Sequence, residues 1–103
     1  MRFRAWFLAA LAVTMVGCGG SAVTPRMLDA AKQRWPDSSR EGLEAGAALF
    51  DRKCSECHKL PDPKSRDAAG WQQVLPKMGK LAGLGAEDQD RVLRYLIAAR
   101  EGG

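Results

Sequence analysis

Apolar residues recur along most of this chain at the spacing of an α-helix, and nowhere do they alternate as in a strand. Met27, Ala31 and Trp35 stand at i, i+4 and i+8 and predict a short helix over residues 26–34, stopped by Pro36. The turn 37–39 holds a candidate cap. Leu43, Ala47 and Phe50, at i, i+4 and i+7, predict a second helix over about 40–53. Trp71, Leu75 and Met78 repeat that spacing and predict a third, from the candidate N-cap Asp67 to Gly79. Pro76 lies inside it. This predicts a kink or an early end that leaves Met78 on an irregular segment. Val92, Leu93, Leu96 and Ile97, flanked by Tyr95, predict a last helix over about 86–100. Glu87, Asp88 and Asp90 near its start and Arg100 at its end suit the helix dipole. Gly83 and Gly85 punctuate the loop before it. With no strand pattern and no repeat, the fold class expected is all-α.

One apolar run is different. Residues 5–16 are almost unbroken and follow Arg2 and Arg4. They are too few to span a bilayer, and the basic-then-apolar order is that of a signal peptide, expected over 1–17. The run ends in Met15-Val16-Gly17-Cys18, which resembles a bacterial lipobox with Met in place of the usual Leu. Lipidation of Cys18 is the expectation, because an exposed thiol in an oxidising compartment is otherwise unwelcome. The alternative is an ordinary signal peptide with a Cys near its end. The small, polar stretch after it, 19–25, reads as a flexible tether. The expected division is a signal peptide at 1–17, a lipid-anchored tether with a short helix at 18–40, and a folded domain at 41–103.

Size narrows the function. A chain of 103 residues allows one domain and excludes multi-domain enzymes, dinucleotide folds and TIM barrels. The formal charge of +4 is small and scattered, which argues against nucleic acid as a partner.

The decisive string is Cys54-Ser55-Glu56-Cys57-His58, a C-x-x-C-H haem c attachment motif. Two thiols three positions apart on a helical turn can each add to a vinyl group of one porphyrin. The next residue then offers its imidazole to the iron. Other readings of these residues fare poorly. A structural zinc site needs four ligands, and a thioredoxin-like pair needs a βαβ context that the pattern lacks. A bare Cys54–Cys57 disulfide leaves His58 unexplained.

From about residue 41 to 101 the chain resembles a class I cytochrome c, a small monohaem electron carrier. Gly46 and Phe50 stand eight and four residues before Cys54, where that family carries Gly and Phe, and Tyr95 stands where its last helix packs an aromatic residue on that Gly. The resemblance implies a cytochrome c-like fold: three to four short helices wrapped around one haem, held covalently through Cys54 and Cys57. It also implies a Met before the last helix as the second axial ligand, the place that Met78 occupies. Lys77 and Lys80 are weaker candidates, since Lys must lose its proton to bind iron. An iron left five-coordinate is the remaining case. The candidate apolar shell is Phe50, Leu60, Trp71, Val74, Leu75, Leu81, Leu84, Val92 and Leu96. Trp71 is expected either to give its indole N–H to a haem propionate or simply to pack. The carbonyls of Pro61 and Pro63 are candidates to orient the His58 ring. Residues 26–40 lie outside the minimal fold and are expected to brace it.

The function expected is one-electron transfer by a membrane-anchored monomer with His58/Met78 ligation. It is an electron carrier and not an enzyme, exported to the periplasm or the outer face of a bacterial membrane. Its partners are redox proteins. Lys53, Lys59, Lys64, Lys77 and Lys80 could steer an acidic one, although Asp51, Glu56, Asp62 and Asp67 are interleaved and such charges often only solvate a face. The alternatives are an open-haem gas or peroxide sensor or catalyst, and a haem subunit of a larger oxidoreductase.

Overall fold

Three of the described α-helices start where a short polar side chain accepts from a free N–H of the first turn. A computed structural model describes residues 23–56 and 59–103. Among these, four α-helices and two short 3₁₀ turns account for the regular structure, with no strand. Helix α1 (Pro25–Arg34) is capped by Thr24, whose hydroxyl accepts from the Met27 N–H at 3.1 Å. Pro25 opens it, and it stops before Pro36. Helix α2 (Arg40–Lys53) is capped by Ser39, which accepts from the Gly42 N–H at 3.0 Å. Helix α3 (Ala68–Leu81) is capped by Asp67, which accepts from the Gly70 N–H at 2.8 Å. Helix α4 (Ala86–Gly102) has Gly85 at its N-cap and relies on Glu87 and Asp88 in its first turn.

Two results differ from the sequence pattern. Helix α3 does not break at Pro76 but continues to Leu81. Trp71, Leu75 and Gly79, buried at i, i+4 and i+8, hold it on both sides of the proline. Gln72, whose carbonyl loses its donor at Pro76, is exposed, as is Pro76 itself. Residues 23–25, read from composition as the end of a flexible tether, are instead part of the fold. Val23 is only 6% exposed and sits in the core, and Thr24 and Pro25 build the start of α1.

The core has two parts that share α4. Between α2, α3 and α4 lie Phe50, Trp71, Leu75, Leu84, Val92, Leu96 and Ile97. Between α1, α2 and α4 lie Val23, Met27, Ala31, Leu43 and Ala98. Tyr95 packs against both. The largest fully buried side chains are Trp71, Leu43, Leu96, Ile97 and Val92, each worth roughly 1.5–3 kcal/mol of burial. The most extensive helix pair is α2 with α4, followed by α1 with α4.

The α2–α4 crossing is close because Gly46 has no Cβ. One placed there would overlap the Arg91 carbonyl oxygen and stand 3.1 Å from Tyr95 Cβ. Gly46 and Tyr95 thus meet as their positions in the sequence suggested, with the Phe50 and Tyr95 rings 6.0 Å apart. The α3–α4 loop turns at Gly83, whose φ of +79° suits glycine. The Gly83 and Leu84 N–H groups return to the carbonyls of Lys80 and Gly79 at 3.0 and 2.8 Å.

Polar links close the outside. Arg34 donates to both carboxylate oxygens of Glu101, at 3.1 and 2.7 Å, tying α1 to α4. Arg94 lies over the Trp35 ring at 5.2 Å and donates to Asp37 and Ser38 in the α1–α2 turn, at 3.0 and 3.2 Å. Its Nε stands 3.0 Å from Asp90 Oδ2 but makes no hydrogen bond there, so that contact is an ion pair only. No described helix is long and apolar enough to cross a membrane.

Candidate functional site

Cys54 is the C-cap of α2, with φ −76° and ψ −24°, and its N–H still donates to the Phe50 carbonyl. The chain tightens there into a 3₁₀ turn, Cys54–Glu56. Ser55 supports the turn by donating its hydroxyl to the Asp51 carbonyl at 2.7 Å. This placement follows from sequence, because Phe50 one turn earlier is buried against Tyr95 and fixes the rotation of the end of α2. Cys54 is half-buried and packs on the cluster of Phe50, Trp71, Leu75, Leu84, Val92 and Leu96. Cys57, His58 and Cys18 lie outside the described residues.

Met78 lies in the last turn of α3 and not on an irregular segment as the sequence pattern suggested, because the helix runs through Pro76. It is half-buried, and its carbonyl accepts from the Ala82 N–H at 3.0 Å. Next to it, Gly79 lets α3 approach α4. A Cβ at Gly79 would stand 2.5 Å from Gln89 Cγ, and Gln89 is held by donating to the Leu84 carbonyl at 2.9 Å.

The apolar shell read from the sequence is largely assembled. Phe50, Trp71, Leu75, Leu84, Val92 and Leu96 are buried together, and Leu60 and Val74 pack on them. Leu81 does not join, being 72% exposed. Leu49, Leu93 and Trp35 belong to the same neighbourhood. Leu93 and Trp35 already carry a periodic signal in the sequence, whereas Leu49, beside Phe50, carries none.

Trp71 is 1% exposed and its indole N–H donates to the Pro63 carbonyl at 2.8 Å. This bond pins the loop after the motif to α3. Asp62 shapes that loop, accepting from the Lys64 N–H at 2.9 Å, and Arg66 lies over the Trp71 ring at 5.6 Å. Arg100 Nε donates to the Arg66 carbonyl at 2.7 Å, which brings the end of α4 to the start of α3.

Charge is mixed around this region. Lys59, Lys64, Lys77 and Lys80 are exposed and Lys53 is half-buried, while Asp51, Glu56, Asp62 and Asp67 are also exposed. Burial, and then the nearby Asp51 carboxylate, raise the pKa of Tyr95. A groove of about 520 Å³ runs at the other end of α2, past Ser39, Glu87, Asp90 and Arg91. Arg91 there pairs with Asp88 at 2.6 Å.

Set against family models, curated proteins and solved structures, the chain matches none of them.

Proposed function

We propose that this protein is a class I-like c-type cytochrome that carries single electrons between redox proteins at a bacterial membrane surface. The observation that carries the reading is the motif Cys54-Ser55-Glu56-Cys57-His58 opening at the end of α2, with its first thiol packed on an apolar cluster. In this reading Cys54 and Cys57 would hold one haem c covalently, and His58 and Met78 would ligate its iron. The described residues suit such a group: a half-buried thiol, an apolar wall contributed by three helices, and a half-buried thioether. Haem c, when bound, supplies an iron that cycles between Fe(II) and Fe(III).

The chain's own residues set how readily that happens. Phe50, Trp71, Leu75, Leu84, Val92 and Leu96 keep water away and lower the local dielectric, which disfavours the more charged ferric state. The thioether of Met78 favours Fe(II) and raises the potential relative to a second imidazole. Iron ligated by both His58 and Met78 would leave no site for a substrate, which makes this reading a carrier and not an enzyme. The Gly46–Tyr95 crossing and the Phe50–Tyr95 ring contact support this reading, because the family resemblance implies that α2 and α4 cross closely there. Exposed Lys59, Lys64, Lys77 and Lys80 suit an acidic partner, through steering that weakens with salt. In this reading the signal pattern at 1–17 and lipidation of Cys18 would put the protein at the periplasmic or outer face of a bacterial membrane.

The test is the absorption spectrum of the reduced protein, matured by a haem c export system, before and after addition of carbon monoxide. An unchanged Soret band supports a filled sixth position and the carrier reading. A clear shift overturns the carrier and favours an open-haem sensor or catalyst. No covalent haem at all overturns the whole reading.

A further inference from the structure

Helix α3 carries Met78, yet among the helices that pack on α4 it has the smallest interface, well below those of α1 and α2. Its buried face is one row, Trp71, Leu75 and Gly79, and the last of these has no side chain to insert. Helix packing alone therefore holds α3 less firmly than it holds its neighbours.

Two hydrogen bonds make up the difference. The Trp71 indole N–H donates to the Pro63 carbonyl at 2.8 Å, and Arg100 Nε donates to the Arg66 carbonyl at 2.7 Å. The two acceptors bracket one short turn, Pro63–Ser65, directly before α3. The Arg66 guanidinium lies over the Trp71 ring at 5.6 Å, and Asp67, the next residue, caps α3. The segment is thus tied by one carbonyl to α3 and by the other to the end of α4. Because both acceptors belong to the backbone, the ties fix the path of the chain and not merely its side chains. Trp71 is 1% exposed, so water has little access to replace its bond. The result is a closed clamp: α4 holds the turn, the turn leads into α3, and α3 holds the turn through Trp71.

We infer that Trp71 and Arg100 are positioning residues for Met78. The clamp they close sets where α3 lies on α4, and so where the Met78 thioether stands. Trp71 and Met78 are two helical turns apart, about 10 Å, and α3 is continuous between them through Pro76. A shift at Trp71 is therefore carried to Met78, while a metal–ligand bond tolerates errors of only about 0.2 Å. This rests on the haem c and Met78 ligation proposed above, and it adds which residues keep the sixth position closed.

The test is carbon monoxide binding to the reduced, haem-loaded protein, read by the Soret band, together with the midpoint potential. Trp71→Phe removes the indole donor. Arg100→Met removes the other donor, keeps an aliphatic stem and leaves the core intact, so it reads the clamp even where Trp71→Phe fails to load haem. Arg100→Lys restores a donor. Val23→Ala is the control for general destabilisation, because it trims a buried side chain in the cluster between α1, α2 and α4. The expected result is that the parent, Arg100→Lys and Val23→Ala exclude carbon monoxide. Trp71→Phe and Arg100→Met should show a Soret shift in a several-fold larger share of the protein, with a lower potential as the thioether is lost. Exclusion by both clamp variants overturns the inference. So does a Val23→Ala protein that admits as much carbon monoxide as they do. A parent that itself binds carbon monoxide overturns the Met78 ligation and the inference with it, which separates the two failures.

Discussion

Replacing Gly46 with Ala probes a close crossing of α2 and α4. An added Cβ would overlap the Arg91 carbonyl oxygen, stand 2.7 Å from the Arg91 carbonyl carbon, and stand 3.1 Å from Tyr95 Cβ. None of these atoms lies at the end of a flexible side chain, so none can swing aside. Carbon atoms rest at about 3.5–4.0 Å, so α2 and α4 must separate by about 1 Å. These helices share the most extensive interface of the fold, and a gap of that order forfeits roughly a quarter to a half of each affected contact. Overpacking of this kind costs about 1–3 kcal/mol, and a backbone obstacle puts it at the upper end. Against this, Ala gains about 1 kcal/mol of helix propensity over Gly. The net expectation is a loss of about 1–2 kcal/mol, with a larger loss for Val. The assay is the urea midpoint followed by far-ultraviolet circular dichroism of the haem-loaded protein. Gly42→Ala is the control, since its added Cβ meets only the Ser39 hydroxyl at 3.3 Å and the change should be neutral to stabilising by up to about 1 kcal/mol. A Gly46→Ala protein as stable as the parent, or more so, would show that α2 and α4 do not cross where the structure has them.

Three further outcomes are expected. Trp71→Phe removes the donor to the Pro63 carbonyl and should cost about 1 kcal/mol, with faster hydrogen exchange in the loop before α3; unchanged exchange would deny that the bond holds the loop. Glu101 has its carboxyl held below the ordinary range by the hydrogen bonds from Arg34. A lowered folded pKa stabilises above the unfolded pKa, and the contribution is lost as pH falls through the folded pKa. The pair is partly exposed, at 39% and 29%, so Glu101→Gln should cost about 0.5–1 kcal/mol at neutral pH and nothing in acid below the folded pKa; a pH-independent difference refutes the assignment. Removing haem attachment with Cys54→Ala and Cys57→Ala should leave a largely unfolded or molten chain, since a domain of this size buries a marginal core without the group; sharp near-ultraviolet bands would refute that.

Much of the fold is legible in the residues themselves. Caps and apolar periods mark the helices, because Ser39 and Asp67 satisfy first-turn donors and the stripes around Phe50, Trp71 and Leu96 need a common core. Gly46 also announces a close crossing, since a mid-helix glycine costs stability unless something presses on it. The motif Cys54 to His58 is legible for another reason: its chemistry depends on spacing along the chain, not on distant partners.

The tertiary structure decided what depends on competition between distant parts. Pro76 breaks a helix by local rules, yet Trp71, Leu75 and Gly79 pack on either side of it and α3 continues, carrying Met78 onto a helical turn. The Trp71 indole N–H takes the Pro63 carbonyl, a partner that only the folded loop brings within 2.8 Å. Leu81 is expected in the apolar shell by its type but is left exposed, because the Gly83 turn directs Leu84 inward instead. Val23 looks like part of a loose linker until Arg40 and the α1 cluster bury it. Local sequence sets helix starts and the C-x-x-C-H spacing from which haem attachment is proposed, features that span a few residues. Only packing across the chain settles which apolar residue is buried, which proline is tolerated and how Val23 joins the domain, because those free energies are shared among residues far apart in sequence.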